Sequence, residues 1–475
     1  MQKKINQLLS DHLGHKPTSS QESAISILSD FIFSGKDDDT VLLRGYAGTG
    51  KTTLISSLVR SLLELKIATI LMAPTGRAAK VLASYSGKAA FTLHKMIYAV
   101  VVTSSGMQIV PAENQHRDTL FIVDEASMIG NDLAADSGAS FGNRRLLDDL
   151  FQYVYNGNNC KLLIVGDSAQ LPPVGTPLSP ALDAGFITQQ YNIECNECEL
   201  TEVVRQEAGS GILNNATLLR KQISNTTCKF PFFNLSGCKD IRSINGSELE
   251  DCLYTEYSRF GMREVMVINR SNKNANLYNL QIRARILQLE GELQAGELLM
   301  IVRNNYFWLP ENNSTSFIAN GDILEVMKVN REIELHGFRF AHIRARLCDY
   351  DEIPEFETII MLDTLHLDSP ALDNARSKAL YESVAQDYLD VKSNAARIKK
   401  IHQDPYLNAL QVKYAYAVTC HKAQGGQWPA VFVDQGYLSD QIVQSDYLRW
   451  LYTAVTRATD TLYLVNFHKK LLEKN

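Results

Sequence analysis

The chain of 475 residues has no long uninterrupted apolar run. None of its apolar stretches approaches the roughly 20 residues that a helix needs to cross a bilayer. Its first residues, 1–7, soon become polar and lack the apolar core of a secretory signal. We therefore expect no membrane partner and a cytoplasmic location.

Cysteine is sparse as well. Eight cysteines in 475 residues are too few for a disulfide framework, so we expect reduced thiols. Cys195 and Cys198 form the one close pair. A structural zinc site needs a second pair of ligands at matching spacing, and Cys228 and Cys238 are separated by nine residues. The pattern therefore favours ordinary thiols over a zinc site.

A basic excess is also absent, because 47 Lys and Arg stand against 53 Asp and Glu and give a net charge of −6. Domains that bind polyanions usually carry such an excess. The charge is uneven, however. Residues 40–117 hold nine basic and two acidic side chains, whereas residues 118–260 hold ten and nineteen. A nucleic-acid partner would therefore lie in a local groove and not on a generally positive surface.

The length of 475 residues predicts roughly three domains, and the apolar pattern predicts an α/β protein. Short apolar runs alternate with helical patterns over the first two hundred residues, which is typical of a parallel sheet covered by helices. The pattern returns at 264–269, 430–434 and 462–465. Between about 298 and 366, short β-type runs and the turn at 320–321 predict an inserted β-domain.

A smaller insertion is predicted within residues 97–115. Two apolar runs, 99–102 and 107–110, flank the polar sequence TSSG. Apolar runs on either side of a short polar segment that contains glycine are typical of a β-hairpin.

The strongest motif is a phosphate-binding loop. Residues 45–52, GYAGTGKT, match GxxxxGK[ST] and lie between a predicted strand and a predicted helix. The motif predicts that Lys51 reaches the β- and γ-phosphates and that the Thr52 hydroxyl binds Mg²⁺, with backbone N–H groups closing around the phosphate oxygens. The expected nucleotide-binding residues of the loop are Gly45, Ala47, Gly48, Thr49, Gly50, Lys51, Thr52 and Thr53.

Two carboxylates follow the apolar run 120–123. Asp124 is expected to hold Mg²⁺, and Glu125 to orient and deprotonate the attacking water. A carboxylate pair at a strand end can also cap a helix. Beside a phosphate loop, the pair favours hydrolysis over phosphoryl transfer to a small molecule.

Further motifs occur in the order found in superfamily 1 helicases. From about Pro17 to Arg457 the chain resembles the 5′→3′ branch of that superfamily, which includes RecD-like and Dda-like DNA helicases. The segments that carry the resemblance are 17–21 (PTSSQ), 73–79 (APTGRAA), 92–94 (TLH), 166–174 (GDSAQLPPV), 200–206 (LTEVVRQ), 419–426 (TCHKAQGG) and 452–458 (YTAVTRA). Several motifs in one order are far more specific than any single motif.

The resemblance implies a complete ATP site. Gln21 would read the adenine edge, because an amide both donates and accepts hydrogen bonds. Gln170 would contact the γ-phosphate. Arg205 and Arg457 would reach the γ-phosphate from a second motor domain, a task that suits a planar, permanently charged fork. Together with the loop and the carboxylates, the expected catalytic residues are Lys51, Glu125, Gln170, Arg205 and Arg457.

The resemblance also implies a track for a nucleic-acid strand. The residues of this track would be Pro74, Thr75, Arg77, Thr92, His94, Asn269, Arg270, Thr419 and His421. Gln424 and Gly425 would link the track to the nucleotide. Taken singly, Thr75 also suits a helix N-cap, and the two histidines suit a core. Trp428, which follows these motifs, is expected to be a core residue.

The fold class that the resemblance implies is α/β, with two RecA-like P-loop motor domains and two insertions. The first motor domain would span 1–190, with the hairpin at 97–115 as its pin. The second would comprise 191–297 and 411–475. Residues 298–410 would form an SH3-like β-domain with a helical segment.

These observations predict an ATP-dependent DNA helicase that uses Mg²⁺, moves 5′→3′ on single-stranded DNA and opens duplex forks as a motor able to act as a monomer. Two alternatives remain open at this point. One is an RNA-directed helicase of the same superfamily, since recognition of the 2′-OH leaves no mark in these motifs. The other is a DNA-binding scaffold subunit with a degenerate motor, against which the intact motifs argue.

Overall fold

The computed structural model describes residues 2–35, 39–103, 106–131, 144–204, 209–224, 231–309, 317–350, 352–436 and 445–472. Within these ranges the chain forms two parallel α/β units, a closed β-barrel and a two-stranded hairpin. None of the helices in this part of the chain combines the length and the apolar character that a membrane span requires.

Residues 2–200 form the first α/β unit and the hairpin. The strands are β1 (Asp39–Gly45), β2 (Ala68–Ala73), β3 (Ala90–Thr92), β4 (Tyr98–Thr103), β5 (Gly106–Pro111), β6 (Thr119–Val123), β7 (Lys161–Gly166) and β8 (Glu194–Leu200). The helices are α1 (Gln2–Leu13), α2 (Ser19–Phe33), α3 (Lys51–Glu64), α4 (Gly76–Ser86), α5 (Leu93–Ile97), α6 (Leu146–Tyr155) and α7 (Ala184–Tyr191).

The first sheet has the strand order β3-β2-β6-β7-β1-β8, and neighbouring strands are parallel. Helices cover both faces, so β6 and β7 are buried along their whole length. Leu162 and Ile164 pack on one face, whereas Leu163 and Val165 pack on the other. Since the strands run the same way, the segments that follow β1, β2, β6 and β7 meet at one edge.

The hairpin lies within the predicted range 97–115. β4 and β5 pair in antiparallel register along their full length. Residues 104–105 of the expected turn lie outside the described residues.

Residues 211–465 form the second α/β unit and the barrel. The strands are β9 (Ile241–Ile244), β10 (Val265–Asn269), β11 (Leu298–Ile301), β12 (Ile323–Leu335), β13 (Phe338–Leu347), β14 (Phe356–Met361), β15 (Leu410–Tyr414), β16 (Ala417–Thr419), β17 (Trp428–Asp434) and β18 (Ala458–Val465). The helices are α8 (Gly211–Ile223), α9 (Leu249–Phe260), α10 (Asn272–Gln281), α11 (Asn374–Gln386), α12 (Asn394–His402), α13 (Cys420–Ala423) and α14 (Ser445–Val455).

The second sheet has the order β16-β10-β17-β18-β9 and is again parallel. The barrel closes in the order β11-β12-β13-β14-β15, with antiparallel neighbours apart from the parallel pair β14 and β15. Helices α11 and α12 pack on the barrel through a separate apolar cluster. Helix α12 also contacts β5 of the hairpin.

Two strands belong to a different sheet from the one that the predicted domain boundaries gave them. β8 comes after residue 190, yet it pairs along β1 and completes the first sheet. β15 begins at Leu410, where the second motor domain was expected to resume, yet it closes the barrel by pairing with β11 and β14. Two residues separate β15 from β16, and this short apolar link contains no turn signal that would mark the change of sheet.

One side chain fixes the junction between the barrel and the second sheet. The Asn279 amide nitrogen donates to the carbonyl oxygens of Tyr414 and Ala417 at 3.1 and 2.9 Å. Its oxygen accepts from the N–H groups of Tyr416 and Ala417 at 3.1 and 2.8 Å. Asn279 is buried, so these backbone groups lie away from water. Thr419, at the end of β16, is positioned by this junction.

Replacing Asn279 with leucine is expected to lower the free energy of unfolding by at least about 2 kcal/mol, because buried backbone groups would lose their partners. Urea denaturation measures the change. Lys273→Ala, on an exposed face of the same helix, is the control and should change stability by less than about 0.5 kcal/mol. Equal stability of Asn279→Leu and the native chain would contradict the assigned role.

Candidate functional site

The phosphate-binding loop connects β1 to α3. Gly48 and Gly50 have φ values of 75° and 81°, in the left-handed region that favours glycine. The Lys51 ammonium donates to the carbonyl oxygens of Gly45 and, at 3.1 Å, of Tyr46. The lysine is therefore folded back on its own loop and has the reach to turn towards a phosphate.

Gln21 packs against this loop. Its amide oxygen accepts from the Thr18 N–H at 3.1 Å and its amide nitrogen donates to the Thr49 carbonyl oxygen at 3.2 Å. Gln21 is completely buried, and a Cβ on Gly50 would lie 2.6 Å from its nitrogen. Both ends of the amide are thus bonded within the chain. The contacts place Gln21 as a support of the loop and use one donor and one acceptor position of its amide.

The 200–206 segment is attached to the start of α2. The Glu202 carboxylate accepts from the Ser20 N–H at 3.0 Å and from the Ser19 hydroxyl at 2.8 Å. These hydrogen bonds, the one from the Ser20 backbone first, lower the pKa of Glu202 to about 2. Val204 donates its N–H to the Gly48 carbonyl oxygen at 2.9 Å. Arg205, which follows, lies outside the described residues.

The expected carboxylates lie just after β6. Asp124 accepts from the Glu125 N–H at 2.8 Å and from the Tyr85 hydroxyl. Glu125 has a φ of 53°, which is rare for a residue other than glycine. Burial raises the pKa of Glu125, and the positive charge of Arg457 opposes this rise. Glu125 is therefore a stronger base than a solvated carboxylate.

Thr52 and Thr53 lie exposed in the first turn of α3. The Thr52 hydroxyl and the Asp124 carboxylate are hard oxygen donors of the kind that suit Mg²⁺. Among the described residues, no group of three or more His, Cys, Asp or Glu side chains forms a ready metal cage. A sparse donor set still fits Mg²⁺, which usually keeps water and takes one or two protein ligands together with phosphate oxygens.

Arg457 comes from the second unit and faces the first. Its Nη1 lies 3.9 Å from the Glu125 Oε1 and donates to the Gly426 carbonyl oxygen at 3.2 Å, while its Nε donates to the Thr453 carbonyl oxygen at 3.0 Å. The side chain is buried. Arg457 is thus already held between the two units beside the expected base.

The segment that follows β7 is held by α14 of the second unit. Arg449 donates to the carbonyl oxygens of Ser168 and, at 3.3 Å, of Gln170. The Thr453 hydroxyl accepts from the Leu171 N–H at 2.8 Å. The Gln170 side chain is buried, and its Oε1 has no partner within the described part of the chain. Gln170 therefore has acceptor capacity left in the cleft.

Asp167 and Tyr452 are two cleft residues that the sequence did not single out. The Tyr452 hydroxyl donates to Asp167 Oδ2 at 2.6 Å and accepts from the Ala47 N–H at 2.8 Å. Lys51 Nζ lies 3.9 Å from the same carboxylate oxygen. Both residues fall inside quoted motifs, but their pairing across the cleft leaves no local signal in the sequence.

The two residues expected to link the strand track to the nucleotide have different neighbours. Gln424 donates to the Leu171 carbonyl oxygen at 2.7 Å. Gly425, with a φ of 73°, lies against α4, where a Cβ would come within 2.7 Å of the Ala78 Cβ. Gln424 therefore contacts the segment after β7, and Gly425 allows the turn after α13 to pack closely on α4.

Three of the expected strand contacts have structural roles near α4 and α5. Thr75 caps α4 by accepting from the Ala78 N–H at 3.2 Å, and Thr92 caps α5 by accepting from the Lys95 N–H at 3.3 Å. Burial lowers the pKa of His94 to about 4, so this imidazole is neutral at physiological pH. The cap agrees with the structural alternative for Thr75, whereas His94 is half-buried.

Strand ends of the second sheet bring four other candidates together. Asn269 pairs with Thr419, and His421 follows two residues later at an exposed position. Asn269 is fully buried, and neither atom of its amide has a partner within the described ranges. Arg270 is exposed and lies 5.1 Å from the centre of the Tyr447 ring.

Arg77 lies where the two units and the barrel meet. Its guanidinium lies 5.1 Å from the centre of the Trp428 ring, donates to the Gln427 carbonyl oxygen at 3.2 Å and lies 3.6 Å from Asp349. Trp428 is buried, as expected. Pro74, three residues earlier, is partly exposed.

The barrel docks on the start of α4. A Cβ on Gly76 would clash with the Asp322 carboxylate and the Tyr350 hydroxyl. Lys80, one turn along the helix, donates to the Cys348 carbonyl oxygen at 3.0 Å. Burial, together with the nearby charge of Asp349, raises the pKa of Asp322 to about 7. The interface therefore favours the protonated form of Asp322 more than water does.

Cys195 and Cys198 lie on opposite faces of the first sheet. Cys198 packs with one apolar cluster and Cys195 with the other, as residues three apart on a strand must. Burial raises the pKa of each thiol to about 12. The two sulfurs do not point at a common site.

The raised pKa of Asp322 predicts a pH-dependent stability. The folded chain holds this proton up to about pH 7, whereas the unfolded chain releases it near pH 4, so stability falls as pH rises between these values. Asp322→Asn should remove up to about 2 kcal/mol of this fall between pH 5 and pH 8. Denaturant titrations at both pH values measure it.

Asp390→Asn, on an exposed side chain of the same chain, is the matched control and should follow the native pH dependence. If the free energy of unfolding of Asp322→Asn changed with pH as it does in the native chain, the ionisation of Asp322 would not affect stability, which would contradict the prediction.

Family models of known proteins match segments of both units. Residues 31–229 match a family model described as an AAA domain. Residues 414–465 match a model described as a UvrD-like helicase C-terminal domain.

Three curated proteins are similar in sequence. An uncharacterized protein of Acanthamoeba polyphaga mimivirus is 23% identical over 491 residues, which cover 88% of this chain and 94% of that protein. The ATP-dependent DNA helicase dda of Enterobacteria phage T4 is 27% identical over 293 residues, 60% of each chain. The ATP-dependent RecD2 DNA helicase of Deinococcus radiodurans is 31% identical over 176 residues, 37% of this chain and 21% of that one.

Among solved structures, the chain aligns with a Pif1 helicase from Bacteroides in complex with ADP-AlF3 and ssDNA. The alignment covers 97% of this chain and 95% of that chain, with 14% identity and a TM-score of 0.47. The two family models and the curated relatives bear out the resemblance drawn from the motifs. Both matched segments and the two named helicase relatives make the chain similar to the superfamily 1 helicases of the Dda and RecD-like type.

Proposed function

We propose that the chain is an ATP-dependent DNA helicase that moves 5′→3′ along single-stranded DNA and opens duplex forks. The observation that carries the proposal is the cleft shared by the two units. Lys51 and Glu125 come from the first unit, and Arg457 from the second lies 3.9 Å from Glu125. The names of the Dda and RecD2 relatives, both DNA helicases, support the choice of substrate.

Each side chain in this cleft has a task in hydrolysis that suits its chemistry. Lys51 binds the terminal phosphates once it leaves the carbonyl groups of its own loop. Glu125 takes the proton from the attacking water, helped by the burial that raises its pKa. Arg457 stabilises the charge that develops on the γ-phosphate. Mg²⁺, held by Thr52 and Asp124, would supply charge neutralisation at the phosphates.

Gln170 and Arg205 complete the proposed set of catalytic residues. Gln170 has a buried amide with an unpaired oxygen in the cleft. Arg205 directly follows Val204, whose N–H is bonded to the phosphate loop. A contact of Gln170 with the γ-phosphate would come from its amide nitrogen, because an amide oxygen only accepts hydrogen bonds. Adenine reading by Gln21 has weaker support, because its amide is already bonded within the chain.

The contacts of α14 couple hydrolysis to movement. Arg449 and Thr453 bind the segment after β7, and Gln424, directly after α13, binds it as well. A change in the cleft therefore reaches Thr419 and Asn269 through rigid elements. Opening a base-pair step costs about 1.4 kcal/mol on average, so unwinding requires such a two-state coupling element.

The strand track is proposed to run across the edges of the two sheets near α4, α13 and the end of β10. Arg270 and His421 are exposed there, and Thr75 and Thr92 mark helix starts that suit phosphate. The hairpin of β4 and β5 is proposed as the pin that separates the strands. The barrel, whose helix α12 contacts β5, is proposed as the SH3-like domain that supports the pin.

The direction of movement predicts a preference for duplexes with a 5′ single-stranded tail. Unwinding with ATP and Mg²⁺ should be at least about tenfold faster on a 5′-tailed duplex than on a 3′-tailed or blunt duplex, because only the first loads the motor facing the fork. A strand-displacement assay with fluorescent duplexes measures the rates. Preference for the 3′ tail would contradict the direction, and preference for an RNA tail would favour the RNA-directed alternative.

Replacement of the loop lysine, Lys51, is expected to lower ATP hydrolysis and to leave binding of single-stranded DNA largely unchanged. Lys51→Ala should lower ATP hydrolysis with single-stranded DNA by at least about a hundredfold, because a charge-stabilising donor at the phosphates is lost. Affinity for single-stranded DNA should change less than about threefold. Lys3→Ala, at an exposed position of α1, is the control. Hydrolysis that is absent from the native chain, even with DNA, would favour the scaffold alternative.

A further inference from the structure

Tyr452 belongs to α14 of the second unit, but both hydrogen bonds of its hydroxyl go to the first unit. The hydroxyl donates to Asp167 Oδ2 at 2.6 Å and accepts from the Ala47 N–H at 2.8 Å. The side chain is 1% exposed. A tyrosine that only filled space would need one partner for its hydroxyl. This one connects the phosphate loop and the segment after β7 to a helix on the far side of the cleft.

The partners of this hydroxyl are the groups that a nucleotide would disturb. Ala47 lies inside the phosphate-binding loop. Asp167 Oδ2 also lies 3.9 Å from Lys51 Nζ, which is now bonded to the carbonyl groups of its own loop. When Lys51 turns to a phosphate, the positive charge beside Asp167 shifts. The hydrogen bonds of the Tyr452 hydroxyl therefore depend both on the conformation of the loop, through Ala47, and on its charge, through Asp167.

Tyr452 is also connected to Arg457 through a short stretch of chain. Thr453, the next residue, accepts from the Leu171 N–H through its hydroxyl and from Arg457 Nε through its carbonyl oxygen. The Thr456 hydroxyl donates back to the Tyr452 carbonyl oxygen at 2.8 Å. These hydrogen bonds mean that a displacement of Tyr452 also displaces the Arg457 guanidinium. A displacement of a catalytic group by about 1 Å is enough to lower the reaction rate.

We propose that Tyr452 is a positioning residue that reports the state of the phosphate loop across the cleft and so sets Arg457 beside Glu125. This inference rests on the proposed function. Without the hydroxyl, a nucleotide still enters the loop, since Tyr452 supplies none of the loop groups that bind phosphate. Arg457 is then held less firmly, and the DNA-stimulated rate of hydrolysis falls.

Tyr452→Phe is the direct test, because it removes the hydroxyl and keeps the ring. The steady-state rate with saturating single-stranded DNA should fall by about tenfold, the effect of one hydrogen bond to a carboxylate. The affinity for a fluorescent ADP analogue, measured without DNA, should change less than about twofold. A role confined to stability would lower the melting temperature and leave the rate of the folded fraction unchanged.

Tyr463→Phe is the matched control. The Tyr463 hydroxyl donates to the Glu256 carboxylate at 2.6 Å, and both residues are buried inside the second unit. The two variants each lose a buried bond between tyrosine and a carboxylate, but only Tyr452 spans the cleft. Tyr463→Phe should therefore keep the native rate at temperatures where it is folded.

Three outcomes would overturn the inference: equal rates of Tyr452→Phe and the native chain, equal rate losses in both variants, or a loss of ADP affinity that matches the loss of rate. Failure of the proposed function gives a different result. In that case the native chain itself shows no hydrolysis with single-stranded DNA, whereas the inference fails only when the native chain is active.

Discussion

The hydrogen bonds between α14 and residues 167–171 are the interaction on which the two units depend. Tyr452, Arg449 and Thr453 each bond to this segment, and most of the bonded groups are buried. A buried polar group without a partner costs about 1–3 kcal/mol, so partial separation of the units is unfavourable. The interface therefore favours a few discrete arrangements over a continuum, as a motor that alternates between closed and open clefts requires.

Parallel strands explain why residues from distant parts of the chain reach this cleft. The phosphate loop follows β1, the carboxylate pair follows β6 and the Asp167 segment follows β7. Because neighbouring strands are parallel, these three segments lie at one edge of the first sheet. The second sheet presents the ends of β10 and β16 in the same way, with Asn269 beside Thr419. The proposed catalytic site and the proposed strand track thus both lie where parallel strands end.

The sequence predicted those features whose physics is local. The loop at 45–52, the carboxylates after β6 and the hairpin each depend on a few adjacent residues, and each lies where its pattern placed it. The roles of Tyr85, Arg449 and Tyr452 depend on partners that are 39 or more residues away, so no local pattern contains them. The barrel strand β15 was missed for a similar reason, since its pairing partners are distant in the sequence.

The contact between the barrel and α4 sets a condition on strand binding. Asp322 and Tyr350 occupy the space that a side chain at Gly76 would need, and Asp349 lies 3.6 Å from Arg77. The start of α4 is where the proposed track needs positive charge and free N–H groups. A strand that approaches Arg77 must therefore compete with the Asp349 carboxylate. In the proposed function, binding of DNA at this point and close docking of the barrel therefore oppose each other, because a phosphate and the Asp349 carboxylate compete for the same guanidinium.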